Sequence, residues 1–207
     1  MTKITRIFGR LRAAYPDAHC ELDHQGPFQL LAATILSAQC TDKNVNRATP
    51  ALFRAWPDAE SMAQARPVQV EKYIRSLGLF RGKSRNLVGM AQALVRDHGG
   101  RVPATMQALI ALPGVGRKTA NVVLSNAFGL PGLAVDTHVL RVGGRLGLVT
   151  TDSPGAAETE LCAELPPKFW GLASHLLIWH GRRTCVARKP RCMECCLRNL
   201  CPSAGSF

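Results

Sequence analysis

The residues best suited to chemistry are an amine and a carboxylate that bracket a stretch without acids. Lys118 lies in Leu112-Pro113-Gly114-Val115-Gly116-Arg117-Lys118-Thr119-Ala120, a glycine-framed turn between two segments of helical spacing. Pro113, Gly114 and Gly116 let the backbone reverse and approach another molecule without interference from Cβ atoms. The N–H groups of Gly114, Val115, Gly116 and Arg117 then gather at a helix start, where an anion is favoured. The Lys118 amine is of the kind that attacks an aldehydic carbon to give a Schiff base. Asp136, in Val135-Asp136-Thr137-His138, is the first carboxylate after Lys118. It is placed to deprotonate an attacking amine or to stabilise a developing cation, and an aspartate before threonine is equally suited to cap a helix.

Two commoner phosphate grips do not fit. A P-loop needs glycine, lysine and then serine or threonine, whereas Arg117 separates Gly116 from Lys118. A dinucleotide fingerprint needs a preceding strand and a third glycine, where this chain has a helical pattern and Thr119. A corner between helices that binds nothing is the plainer alternative, and charge weighs against it. From His98 through Val135 there is no aspartate or glutamate, while Arg101, Arg117 and Lys118 lie inside. The whole chain carries a net charge of +12, with a pI near 9.9. Such a balance suits a polyanionic partner held by a salt-dependent contact. Membrane binding is the competing use of positive charge. Yet no apolar stretch is long enough to span a bilayer, and Met1 to Tyr15 reads as a charged amphipathic helix, not a signal peptide.

Cys185, Cys192, Cys195 and Cys201 form a second constellation, spaced C-x6-C-x2-C-x5-C. Four thiols this close suggest a shared metal. Disulfides are the alternative, and the absence of a secretory signal points instead to a reducing, cytoplasmic compartment. Tetrahedral zinc accepts four cysteines, but its sites usually present two short-spaced pairs. One close pair flanked by longer loops favours an iron-sulfur cluster. Cys196 reads as a packed thiol, and Cys20, Cys40 and Cys162 as core residues. Between the first two ligands lie Arg188, Lys189 and Arg191, preceded by Arg182 and Arg183, with no acid in the interval. A basic loop braced by a metal centre is suited to phosphate contact.

The elements that must position these groups all read as helical. Ile4, Ile7, Phe8 and Leu11, then Phe28, Leu31, Ile35 and Leu36, then Val70, Ile74 and Leu77 recur with helical period, and alternating strand patterns are missing. Thr105 caps a short helix before the glycine turn, and Gly129 stops the helix after it. Ser153-Pro154 starts a helix running to Glu164, and another is predicted from Phe169 to His180, ending at Gly181. The fold class is all-α, with many short helices packed at steep angles.

With these residues placed, the chain resembles the endonuclease III family, DNA glycosylases with a helix-hairpin-helix motif and a [4Fe-4S] cluster. The resemblance rests on Ser37-Ala38-Gln39-Cys40-Thr41-Asp42, Gly78-Leu79, Leu112 to Asn121, Val135-Asp136-Thr137-His138, His180-Gly181-Arg182 and the four spaced cysteines. It implies a two-lobed molecule: a six-helix barrel over 21–130 that contains the hairpin, and a smaller cluster domain made of 1–20 with 131–207. Double-stranded DNA carrying damaged bases or abasic sites would bind in the cleft between them, to a monomeric protein of the nucleoid. The implied chemistry is bifunctional. Lys118 would attack C1′ of a flipped nucleotide, expel an oxidised or ring-saturated pyrimidine, and hold the sugar as a Schiff base for β-elimination, while Asp136 activates the amine and stabilises the oxocarbenium charge. Gln39 and Leu79 would fill the space left by the flipped nucleotide, and the cluster held by Cys185, Cys192, Cys195 and Cys201 would be structural. An adenine-mismatch glycosylase resembles the chain in hairpin and cysteine spacing but lacks the lysine. A non-catalytic iron-sulfur DNA-binding protein is the alternative from another class, and it leaves Lys118 and Asp136 without a purpose.

Overall fold

A computed structural model describes residues 2–206; the expected domain ends at Met1 and Phe207 lie outside the described residues. In chain order the helices are α1 (Lys3–Ala14), α2 (Gly26–Leu36), α3 (Asp42–Ala55), α4 (Ala59–Ala63), α5 (Pro67–Ile74), α6 (Phe80–His98), α7 (Met106–Ile110), α8 (Arg117–Ala127), α9 (Thr137–Leu146), α10 (Pro154–Glu164) and α11 (Trp170–Arg183). Short 3-10 turns at Pro167–Phe169, Cys192–Glu194 and Arg198–Leu200 complete the regular structure, and no strand occurs among the described residues. The chain divides into two units, one of residues 21–130 and one of residues 1–20 with 131–207.

In the 21–130 unit, α2 is the axis. Leu30, Leu31, Ala32, Ala33, Thr34, Ile35 and Leu36 are consecutive and all buried, as a helix that is apolar all round must be. The Thr34 hydroxyl donates to the Leu30 carbonyl at 2.7 Å, so the one polar side chain in that run stays satisfied. Helices α3, α6 and α8 pack around this axis, while α4 and α5 lie against α6, and α7 against α8. Thr41 caps α3, accepting from the Asn44 N–H. Helix α6 begins at Phe80, so Arg81 and Gly82 belong to its first turn.

In the other unit, the 4-7-8-11 stripe buries Ile4, Ile7, Phe8 and Leu11 of α1 against Val139, Val142 and Leu146 of α9 and Ala173, Leu176 and Leu177 of α11. Phe8 meets Phe169 edge to face at 5.4 Å between ring centroids. Helix α11 does not end at Gly181 but continues to Arg183. The glycine is there for packing: a Cβ on it would stand 3.0 Å from the Cβ of His138 and 3.1 Å from an Arg141 guanidinium nitrogen. Gly181 therefore lets α11 approach α9 closely and is no stop signal.

Candidate active site

The glycine turn is a hairpin between α7 and α8. Thr105 caps α7 by accepting from the Ala108 N–H, and the Leu112 N–H returns to the Leu109 carbonyl at 3.1 Å. Gly114 takes φ +77, and a Cβ there would be driven to 2.8 Å from the Asn86 side chain; both conformation and space require glycine. The hairpin amides are not equivalent. Val115 is buried and its N–H is spent on the Leu112 carbonyl at 3.1 Å, whereas the N–H groups of Gly114 and Gly116 donate to nothing among the described residues. Gly116 is the N-cap of α8, with no side chain covering the first-turn amides. Arg117 and Lys118 are exposed in that first turn, and the Lys118 amine has no hydrogen-bond or ion-pair partner among the described residues.

Asp136 ends a buried run outside any helix, Leu133-Ala134-Val135, pinned where the Ser174 hydroxyl of α11 donates to the Ala134 carbonyl at 2.6 Å. Its Oδ1 accepts the N–H groups of His138 and Val139 at 2.8 and 2.9 Å. The cap is thus real, and it orients the carboxylate: Oδ1 is committed, and Oδ2 has no hydrogen bond among the described residues. Burial holds His138 below its ordinary pKa, with the Arg141 and Arg182 cations acting in the same direction and Asp136 against it. Its Nδ1 accepts from Arg141 at 3.2 Å, a contact that favours the neutral imidazole.

Cys185, Cys192, Cys195 and Cys201 line one small cavity of about 20 Å³, together with Arg145, His180 and Arg198. Cys196 is not part of that lining. The four thiols surround the cavity instead of converging: among the described residues no three His, Cys, Asp or Glu side chains stand as a cage for one ion. Donors are aimed at the sulfurs. Arg145 reaches Cys185 Sγ at 3.4 Å, the Leu197 N–H reaches Cys195 Sγ at 3.4 Å, and His180 Nε2 lies 3.6 Å from the same sulfur. His180 is buried and its Nδ1 pairs with the Tyr15 hydroxyl at 3.0 Å.

Two residues that sequence reasoning passed over organise this region. Arg141 of α9 donates to the carbonyls of Gly181 (2.9 Å) and Cys185 (3.1 Å) as well as to His138. One turn on, Arg145 donates to the carbonyls of Val186 (2.8 Å) and Ala187 (2.9 Å). Their spacing of four on a helix that opens with Asp136 was the available signal, but their acceptors lie some forty residues away. The basic loop that they hold divides by task. Arg191 donates to the Arg183 carbonyl and pairs with Glu194 at 3.9 Å, so it braces the loop. Arg188 and Lys189 are exposed, the latter at φ +53. Arg182 is exposed at the end of α11, and Arg183 lies over the Trp179 ring at 3.5 Å.

Gln39 and Leu79 both occupy left-handed backbone, at φ +54 and +59, a conformation uncommon for residues other than glycine. Gln39 is exposed between α2 and α3, and Leu79 is 61% exposed at the N-cap of α6. Leu79 makes no side-chain cap hydrogen bond to α6, and the cap positions on either side of Gln39 belong to Ser37 and Thr41.

Residues 32–167 match the model of the HhH-GPD superfamily base excision DNA repair proteins. The chain is 50% identical to the endonuclease III of Synechocystis sp. over 203 residues, which covers 98% of this chain and 93% of that protein. Its fold superposes with a TM-score of 0.93 on an endonuclease III solved in a non-covalent complex with DNA, at 42% identity and covering 100% of this chain and 98% of that one. A trapped covalent intermediate of endonuclease III with DNA matches equally, again with a TM-score of 0.93, 42% identity and the same coverage. The chain belongs to the endonuclease III family of the HhH-GPD superfamily and is a DNA N-glycosylase with abasic-site lyase activity.

Proposed function

We propose that this enzyme removes oxidised or ring-saturated pyrimidines from double-stranded DNA as a monomer and cleaves the resulting abasic sites through a Schiff base on Lys118. The observation that carries the reading is the Lys118 amine, exposed and unpaired at the uncapped start of α8 beside the two free amides of Gly114 and Gly116. Phosphate held by those amides brings a sugar to a nucleophile that no carboxylate has neutralised. Lys118 attacks C1′, the C1′–N bond breaks and the base leaves with a proton. The C1′–O4′ bond of the resulting aminal opens, O4′ departing as a hydroxyl, to give an iminium; this acidifies C2′, and loss of a C2′ proton expels the 3′ phosphate. Asp136 takes the proton from the attacking amine through Oδ2 and opposes the cationic charge that develops on the sugar. Gln39 and Leu79 fill the stack while the damaged nucleotide is extruded. Trapping with borohydride on DNA containing an abasic site tests the reading, since the iminium is reduced to a stable adduct.

Cys185, Cys192, Cys195 and Cys201 would hold a [4Fe-4S] cluster; their spread around one cavity, with hydrogen-bond donors aimed at sulfur, fits a polynuclear centre better than a single ion. When bound, the cluster supplies structural cross-linking of the basic loop and takes no part in the bond-breaking steps. Purified protein is expected to be brown and to contain iron and acid-labile sulfide; a colourless protein with zinc alone would overturn the assignment. Cys192→Ser should lose iron and weaken DNA binding together, because Arg188 and Lys189 then lose their brace.

If the hairpin amides and the basic loop engage about four to six phosphates, log affinity should fall with log salt at a slope of roughly −4 to −5. Changing Arg188 and Lys189 together to Ala should make that slope shallower by about 1 to 2. A slope that stays the same in filter-binding titrations would place the DNA on another face.

A further inference from the structure

Lys83, the fourth residue of α6, is only 4% exposed. Buried lysines are ordinarily paired with a carboxylate. Here Nζ makes its one hydrogen bond among the described residues to Cys40 Sγ, at 3.2 Å. Cys40 is only partly buried, unlike the lysine that meets it. The contact joins the segment between α2 and α3 to the first turn of α6, 43 positions on in the chain. Cys40 directly follows the left-handed Gln39, and the Lys83 N–H is held at 3.0 Å by the carbonyl of the left-handed Leu79.

We propose that Cys40 and Lys83 form a peroxide-responsive thiol–amine pair that closes to a sulfenamide bridge and ties the Gln39 loop to the first turn of α6. Hydrogen peroxide transfers oxygen to the thiol, giving a sulfenic acid and one water; the sulfur loses two electrons and the peroxide gains them. The Lys83 nitrogen then attacks that sulfur, hydroxide leaves as a second water, and the ammonium protons not retained on the S–N link go to solvent. Thiol, ammonium and peroxide become bridge, two waters and one proton. Excess dithiol reverses the reaction and becomes a disulfide. The burial of Lys83 favours condensation over further oxidation, because the amine already touches the sulfur before peroxide arrives.

The consequence for activity rests on the flipping roles proposed for Gln39 and Leu79. A bridge between their loops restricts both side chains just where a base step must open. It leaves the Lys118 turn untouched.

The test uses the cluster-containing protein, treated with peroxide at a dose that preserves its visible absorbance, followed by alkylation, digestion and mass spectrometry. The expected product is a Cys40 peptide joined to a Lys83 peptide, two hydrogens lighter than their sum and separated by dithiothreitol. Cys40→Ala, which keeps the lysine, should lack it. Recovery of Cys40 as a free thiol, sulfenic acid or sulfinic acid with an unjoined Lys83 peptide overturns the proposal. Bridged protein should excise a ring-saturated pyrimidine from duplex about tenfold more slowly than reduced protein, while cleaving a preformed abasic site within about twofold of it, since that substrate requires little unstacking. A bridge that forms without separating the two substrates retires the flipping roles of Gln39 and Leu79 and leaves the redox chemistry standing.

Discussion

Lys118→Gln is expected to abolish borohydride trapping and to lower strand cleavage at abasic sites by roughly three orders of magnitude or more, the scale of losing a covalent nucleophile. DNA binding should survive. The free amides of Gly114 and Gly116 and the open start of α8 do not depend on the side chain at 118, and glutamine preserves most of its length. Because Lys118 is exposed and unpaired, the substitution should change stability by no more than about 0.5 kcal/mol. The decisive comparison is gel-shift affinity beside trapping yield in the same preparation. A Lys118→Gln protein that still yields a trapped adduct would move the nucleophile elsewhere.

Asp136 calls for a two-variant test because one of its oxygens has a structural duty. Asp136→Asn keeps an amide oxygen to accept from the N–H groups of His138 and Val139, so α9 should remain capped and the melting temperature nearly constant. Excision should nevertheless fall by about 10²- to 10³-fold, the usual worth of a positioned base. Asp136→Ala should show the same catalytic loss and, in addition, lose about 1 kcal/mol of stability with the cap. Two variants equal in activity but different in melting temperature would separate the oxygens by function. Full turnover in the Asp136→Asn variant would show that the carboxylate is a cap and nothing more.

Local devices are legible in the sequence. The Thr105 cap, the Pro113 and Gly114 reversal and the 4-7-8-11 stripe of α1 each depend on residues within a turn or two of one another, and each appears where spacing places it. Asp136 as a cap was equally readable, since cap and amides are two and three residues apart. What stayed hidden involves distance along the chain. Gly181 looks like a helix end because glycine usually weakens helices, and only the proximity of His138 explains it inside one. The tasks of Arg141, Arg145 and Arg191 look alike in a basic sequence. Geometry alone shows which cations hold carbonyls and which face solvent. Cys40 reads as a core thiol and Lys83 carries no mark in the sequence; nothing in either neighbourhood announces their meeting.

The two arginines of α9 also set an order of events in the making of the enzyme. Their acceptors are the carbonyls of Gly181, Cys185, Val186 and Ala187, and three of these exist as a platform only after the cysteine segment has folded back. If the four cysteines hold the proposed cluster and it is what folds their segment back, a newly synthesised chain awaiting iron would carry α9 with its guanidinium groups unanchored and, at the other end of the same helix, Asp136 on a frayed first turn. Iron delivery would act as a quality gate, withholding a nucleic-acid-cleaving activity from immature molecules without any inhibitor. Hydrogen exchange at the amides of His138 and Val139 should be faster in iron-free protein than in the mature form; equal protection would show that the helix is finished before the metal arrives.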